Sequence, residues 1–407
     1  MLQQIQLQNF KSFVEETVSF VGFNLLVGAN ASGKSNLFDA LKFLQGVALD
    51  QSVSDVLRGR TEGEREMWPG IRGAVKEAAR GTSTSFTIST VWKLDDEIVH
   101  HSLTCRTSDE PCVERESLRT EGYEPYLFDT HAPALGAGGG LAPGGALNVG
   151  IKRQGSGGRA LSHTYTSARS LLGQIRPEAA MHPKVLETCE KLKTAMRSSV
   201  FLDILPSRMR SYVPRRSTSL GINGQNISAV LHRLCQNEDT KTALLDWLSE
   251  LTSPAVANID FSVTEEDYVL FRLVEKDGTK ISALSLSDGT LRFLGELVAV
   301  ITQTSGSLLL IEEIENGLHP SRAHLLVEKI ESETSANDRQ VIATTHSPPL
   351  LDALSEGGLN GVSVFGRAED DQRTVVRRAV ALPHFREVLK RRGFEYLMTT
   401  KWMERAL

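Results

Sequence analysis

The sequence predicts an α/β architecture, on three observations. The apolar run Phe23–Val27 leads into the turn Gly28–Ser35, and then into Asn36–Leu44, whose apolar residues recur at helical spacing. Two later apolar runs of strand length, Ser307–Ile311 and Arg339–Thr345, each end in polar, chemistry-bearing residues. Strand-like segments at Thr84–Leu94 and Glu97–Cys105 flank Asp95-Asp96 and read as a hairpin.

In chain order, Leu2–Leu7 reads as a strand, and Phe10-Lys11-Ser12-Phe13 turns it into a second extended piece ending at Phe20. After the helix that follows Ser35, the charged stretch Asp50–Arg80 reads as a short helix and a surface loop. From Ala132 to Arg159, two glycine runs bracket a segment with almost no large apolar residues, which reads as a mobile loop or linker. Helical spacing resumes over Lys184–Met196, and Phe201–Pro206 leads to the arginines 208, 210, 215 and 216. The turn Leu220–Ile227 precedes a helix at Ser228–Leu234, and another helix spans Thr240–Leu251. Strands follow at Ile259–Val263, Tyr268–Val274 and Thr279–Ala283. The expected division is 1–130, an N-terminal lobe; 131–160, a Gly-rich mobile loop; 161–256, a helical insertion; and 257–407, a C-terminal lobe.

Bulk properties narrow the classes. A chain of 407 residues with 40% hydrophobic residues can bury a large core. No apolar run approaches the roughly 20 residues that cross a membrane. The first residues lack the basic and apolar regions of a signal peptide, so the expected location is cytoplasmic. The four cysteines lack C-x-x-C pairing, which argues against a zinc site or a disulfide framework. A net charge of −5 excludes a globally basic nucleic-acid binder and leaves a local basic face open.

Gly28-Ala29-Asn30-Ala31-Ser32-Gly33-Lys34-Ser35 is G-x-x-x-x-G-K-S between a strand and a helix, the context a P-loop requires. Glycines let successive backbone N–H groups turn toward phosphate oxygens, and the helix start adds partial positive charge. Lys34 then reaches the outer phosphates and Ser35 holds Mg²⁺. The chain is expected to bind a nucleoside triphosphate.

Three further stretches narrow the chemistry. Ser307–Ile311 ends in Glu312-Glu313; beside a P-loop, the first acid holds the Mg²⁺ water shell and the second activates the attacking water. A histidine, His346, follows the strand at 339–345. Leu286-Ser287-Asp288-Gly289-Thr290 directly precedes a helix at Leu291–Thr302, placing Ser287 and Gly289 at a second phosphate-binding helix start. Taken alone, that turn reads equally as an N-cap.

In order and spacing this set resembles the ATP-binding-cassette ATPase heads: Leu286–Thr290 their signature, Glu312-Glu313 the Walker B pair, Glu315–Pro320 the D-loop and His346 the switch histidine. The wording is similar to the RecF- and OLD-like branch, carried by Leu7–Phe13, Leu286–Leu294, Glu312–Pro320 and Ala343–Pro348. The resemblance covers residues 1–45 and about 280–355 well, and the middle loosely through Asn223–Ile227. It implies an ABC-type P-loop head: a mixed central sheet with flanking helices, an antiparallel β lobe and a helical or irregular insertion.

The resemblance also implies ATP and Mg²⁺ as ligands, with phosphates held by Asn30, Ala31, Ser32, Gly33, Lys34, Ser35 and Asn36. The metal is expected on Ser35 and Glu312; Glu313, His346 and Lys34 are the catalytic set, and the backbone at Lys11 and Ser12 contacts adenine. Ser287 and Gly289 would complete the site of a second subunit, making a head-to-tail dimer or higher oligomer closed by ATP. The expected function is an ATPase switch or sensor subunit of a prokaryotic antiviral defence complex, with a separate nuclease- or toxin-like effector and no membrane partner. A DNA-repair ATPase that clamps duplex DNA is the alternative. The chain departs from the pattern in carrying Glu312 where many cassette proteins have Asp, and in lacking a clear Q-loop glutamine. Trp68–Gly73 stands nearest that position.

Overall fold

The computed structural model describes residues 1–63, 65–123, 125–131, 140–142, 145–155, 160–217, 219–251, 256–318, 320–336 and 338–407. Its centre is a six-stranded sheet in the order Val200–Leu202, Leu308–Ile311, Gln340–Thr344, Phe23–Val27, Val362–Arg367, Thr374–Arg378. The first five strands are parallel and the last is antiparallel. Every residue of Phe23–Val27, Leu308–Ile311 and Gln340–Thr344 is buried. Parallel strands covered on both faces read as continuous apolar runs, which is why these segments were legible as strands. Alternate residues feed opposite cores. Leu26, Leu310 and Ile342 join the core shared with the P-loop helix Lys34–Ala48. Leu25, Val27, Ile311 and Ala343 join the core around the helices Asp288–Thr302 and Pro320–Ala336.

A nine-stranded antiparallel sheet forms the second layer. Leu2–Phe10 is one of its inner strands, paired with both Phe13–Ser19 and Ser85–Leu94. Ser85–Leu94 and Glu97–Arg106 form the expected hairpin, with Asp95 in the left-handed region at φ 53°. Phe86, Ile88, Trp92 and Leu94 face inward at period two, toward the P-loop helix. A smaller antiparallel sheet of Val213–Pro214, Tyr268–Glu275, Val256–Val263 and Lys280–Ser282 packs against the helix Ile227–Leu234. The α/β class and the antiparallel lobe are as expected.

The middle of the chain differs from expectation. Residues 161–256 do not form one helical insertion. Leu161–Thr166 pairs with Ala146–Ile151 in the large sheet. Lys184–Arg197 packs in the same core as the P-loop helix, and Val200–Leu202 becomes an edge strand of the central sheet. Strands of three residues are too short to carry a period, and only long-range pairing defines them. Part of the expected loop at 131–160 is likewise structured: in Ala146–Ile151, Leu147, Val149 and Ile151 are buried at period two. Residues 132–139, 143–144 and 156–159 lie outside the described ones. The 50–80 stretch adds to its short helix Val53–Arg58 a small hairpin, Arg60–Glu62 with Arg65–Trp68. No helix among the described residues is long and apolar enough to cross a membrane.

One buried acid gives the fold a pH signature. Glu296, in the helix Asp288–Thr302, is 1% exposed, and burial pushes its carboxyl well above the usual range. Its Oε2 has no hydrogen-bond partner among the described residues. A group whose folded-state pKa is raised holds its proton more tightly when folded. Its stabilising contribution is therefore complete below about pH 4.5 and is lost as pH rises toward the folded value. Glu296→Gln should raise the melting temperature more at pH 8 than at pH 5, on a scale of about 2–4 °C per kcal/mol for a large domain. Equal shifts at both pH values in thermal melts would contradict it.

Candidate active site

The parallel strands Phe23–Val27, Leu308–Ile311 and Gln340–Thr344 point their carboxyl ends the same way, and the candidate site lies where they end. Open α/β sheets bind ligands at this edge. A cleft of about 250 Å³ is lined there by Asn30 to Asn36 of the P-loop, both Walker-type glutamates, Thr344, His346 and Arg367. Residues from three remote parts of the sequence therefore converge as expected. Ser287 and Gly289 do not line this cleft.

The P-loop is shaped by backbone that only glycine accommodates. Gly28 has φ +147°, and a Cβ there would meet the Phe365 carbonyl oxygen at 2.2 Å. Gly33 has φ +112°, with Thr374 Oγ1 2.3 Å from its would-be Cβ. The helix Lys34–Ala48 starts at Gly33 with no side-chain cap and no acid in its first turn, leaving its first N–H groups to a ligand. Lys34 Nζ donates to the carbonyls of Gly28 (2.6 Å) and Ala29 (3.0 Å). Burial lowers its pKa, opposed by the charges of Glu404, Glu313 and Glu315.

A clamp beneath the loop comes from residues far apart in the chain. Thr374 Oγ1 donates to the Ser32 carbonyl (2.9 Å) and accepts from Ser12 Oγ (2.7 Å). Asn36 Nδ2 donates to Ser12 Oγ at 2.7 Å, and Arg367 Nε to the Ala31 carbonyl at 2.8 Å. The Ser12 and Asn36 side chains are thus engaged in holding the loop. Lys11 Nζ is 2.5 Å from Asp39 and donates to the Arg72 carbonyl at 2.6 Å. Lys11, Ser12, Asn36, Arg80 and Arg367 line a neighbouring open cleft of about 460 Å³, contiguous with the first through Asn36 and Arg367.

The acids stand just past their strand. Glu312 and Glu313 are exposed. Glu313 adopts φ +51°, an uncommon conformation for a residue with a side chain. It is held there by Glu313 N donating to Thr344 Oγ1 (2.8 Å) and Ile314 N to the Thr344 carbonyl (3.1 Å). Arg72, from the Trp68–Gly73 stretch, reaches Glu312 at 3.6 Å and Asp39 at 3.2 Å. An arginine thus joins the P-loop helix to the first acid from the segment nearest the Q-loop position. Sequence reasoning missed Arg72 and Asp39, because nothing local marks a partner so far along the chain.

His346 follows its strand, with its backbone N–H donating to Glu315 Oε1 at 2.6 Å. Burial lowers the His346 pKa, the Lys34 cation lowers it further, and Glu315, Glu313 and Glu404 oppose. The imidazole is therefore neutral near pH 7 and can donate one hydrogen bond. Glu315 was read from the sequence only as part of the D-loop; the structure makes it the residue that holds the His346 backbone.

At the signature turn, Ser287 Oγ accepts from Thr290 N (3.1 Å), so the N-cap reading holds for its acceptor role. Gly289 packs against its own D-loop: a Cβ there would lie 2.4 Å from the Gly317 carbonyl oxygen. The arginine cluster is partly internal. Arg210 pairs with Asp288 and Arg215 with Asp267, at 2.6 and 2.8 Å.

Residues 23–79 and 208–352 match the family described as "AAA domain, putative AbiEii toxin, Type IV TA system". The first block holds the P-loop, and the second holds the signature, the paired acids and the histidine. The chain is an ATPase. The ATPase is 24% identical over 388 residues to a Helicobacter pylori protein named "ATP/GTP phosphatase", covering 93% of this chain and 95% of that one. Among solved structures it is similar to an SMC head bound to the C-winged helix domain of ScpA, with TM-score 0.49, 13% identity and coverage of 92% and 97%. It is also similar to an SMC head domain from Thermotoga maritima, with TM-score 0.46, 12% identity and coverage of 93% and 98%.

The Glu315 contact carries a prediction for the ATPase. A hydrogen bond to a charged group is worth about 1.5–3 kcal/mol, so Glu315→Ala should lower kcat by roughly 10- to 100-fold if the contact matters fully in the transition state. Glu315→Gln, which keeps an acceptor, should stay closer to wild type. Steady-state hydrolysis checks both, and an unchanged kcat in Glu315→Ala would remove the contact from the mechanism.

Proposed function

We propose that this ATPase is a nucleotide-driven dimeric switch, the sensor subunit of a prokaryotic antiviral defence complex with a separate effector protein. The observation that carries the switch is the separation of Ser287 and Gly289 from the cleft that gathers Lys34, Glu312, Glu313 and His346. A helix start framed by Ser287 and Gly289 suits a phosphate, and a second copy related by a two-fold axis would bring one. The toxin–antitoxin wording of the matched family supports a place in a two-part system.

In this reading the P-loop amides and Lys34 bind the phosphates. Ser35 and Glu312 would hold Mg²⁺, and their fit is chemical: both offer hard oxygen donors on the same cleft. Among the described residues no group of three or more His, Cys, Asp or Glu could hold a metal ion, and Mg²⁺ is commonly held by one or two protein oxygens together with substrate phosphates. When bound, it neutralises charge on the phosphoryl oxygens. Glu313 orients the attacking water and takes its proton, while neutral His346 donates toward the terminal phosphate. Hydrolysis then reopens the dimer.

Lys34→Ala should abolish nucleotide binding. Glu313→Gln should bind ATP with hydrolysis reduced by about 10²–10⁴-fold, the usual contribution of a general base. Equal hydrolysis by wild type and Glu313→Gln would sink the assignment of the base.

The composite site needs a variant that spares the fold. Any side chain at Gly289 would strike the Gly317 carbonyl of the same chain, so Ser287→Asp is the better choice. Aspartate still caps the helix but presents a negative charge to the phosphate. Ser287→Asp and Lys34→Ala chains should each be inactive and should regain one working site when mixed. Mixed dimers that stay inactive would refute the sandwich.

A second reading, a clamp on duplex DNA, draws on Arg208 and Arg216, which are exposed. A DNA clamp should lose affinity steeply with salt, and a sensor held by a protein partner should not.

A further inference from the structure

Within the sandwich reading, on which this inference rests, the signature turn carries an electrostatic conflict. Ser287 and Gly289 frame a helix start suited to phosphate, yet the residue between them is Asp288, with a side chain 75% exposed. A carboxylate beside the phosphate opposes what the helix dipole favours.

The structure answers that conflict with one residue. Arg210 follows the short helical turn Pro206–Arg208 and comes from a segment remote in sequence. Its Nη2 donates to Asp288 Oδ1 at 2.6 Å and to the Leu286 carbonyl at 2.7 Å. The Arg210 side chain is 26% exposed, so its charge is partly shielded from water. Gly289 in turn packs against the Gly317 carbonyl. The turn is therefore held by a cation and by close packing on Gly317.

We propose that Arg210 is a positioning residue for phosphate recognition by the signature. It cancels the Asp288 charge and, through the Leu286 carbonyl, sets the direction of the turn that carries Ser287. The partner chemistry is the terminal phosphate of a nucleoside triphosphate held on a second copy of this chain.

Two functions of Arg210 are separable by experiment. Arg210→Ala leaves Asp288 uncompensated. It should lower both ATP-driven dimerisation and kcat at least 10-fold, with binding of ATP to the P-loop of the isolated chain changed less than twofold. Because the fault is repulsion, raising the salt from low to high should partly restore dimerisation of Arg210→Ala, whereas a merely structural defect should not respond. Asp288→Asn in the Arg210→Ala background should recover most of the lost activity, and Arg210→Lys should fall between wild type and Arg210→Ala.

Light scattering with ATP in the Glu313→Gln background reads dimerisation directly. If that chain stays monomeric, the sandwich reading falls, and the role of Arg210 with it. If it dimerises but Arg210→Ala behaves as wild type, or Asp288→Asn gives no rescue and salt no recovery, the proposal for Arg210 alone is overturned. Should Arg210→Ala fail to fold, Arg210→Lys with and without Asp288→Asn carries the same test. A deficit in Arg210→Lys that Asp288→Asn relieves supports the proposal, and one it leaves untouched refutes it.

Discussion

The parallel pairing of Phe23–Val27 with Gln340–Thr344, and of Gln340–Thr344 with Leu308–Ile311, is the constraint on which the rest depends. Ala343 stands opposite both Ile311 and Leu25, and Thr344 opposite Leu26. That register brings the end of the P-loop strand level with the strand that leads to Glu312-Glu313 and with the one that leads to His346. A slip of one residue would turn every side chain of a strand to the other core. Thr344 then uses both its hydroxyl and its carbonyl to hold Glu313 and Ile314, so register and active-site backbone are fixed by the same residue.

Charge inside the site is arranged as paired opposites. Lys34 loses basicity by burial and regains part of it from three glutamates. Asp39, nearly buried, takes both Lys11 and Arg72, and Arg72 continues to Glu312. The Arg72–Glu312 contact is half exposed on both sides and contributes little to stability by itself. Its interest is geometric: an arginine that touches the P-loop helix and the first acid together would sense a change at either. The turn before the helix Asp288–Thr302 follows the same rule, with Arg210 facing Asp288.

Much of this was legible before the structure. The P-loop, the paired acids and His346 each follow a buried strand, and buried parallel strands announce themselves as short apolar runs. The match of the family to 23–79 and 208–352 falls on stretches that include those motifs. The intervening region was misread where its strands were short or glycine-rich. Val200–Leu202 has three residues and no measurable period, and Ala146–Ile151 sits in a composition that reads as linker. In both cases the partner strand supplies the order that the local sequence does not express.

By itself the sequence determined the phosphate loop, the identity of the acids, the candidate histidine and the α/β class, because each depends on residue type at fixed local spacing. Tertiary structure alone decided that Thr374 and Ser12 clamp the P-loop, that Glu315 holds His346, that Arg72 joins Asp39 to Glu312 and that Arg210 answers Asp288. Each of these is one polar contact between segments tens to hundreds of residues apart. A contact of that kind has no periodicity and no local propensity, and it exists only once the sheet register has brought its two ends together.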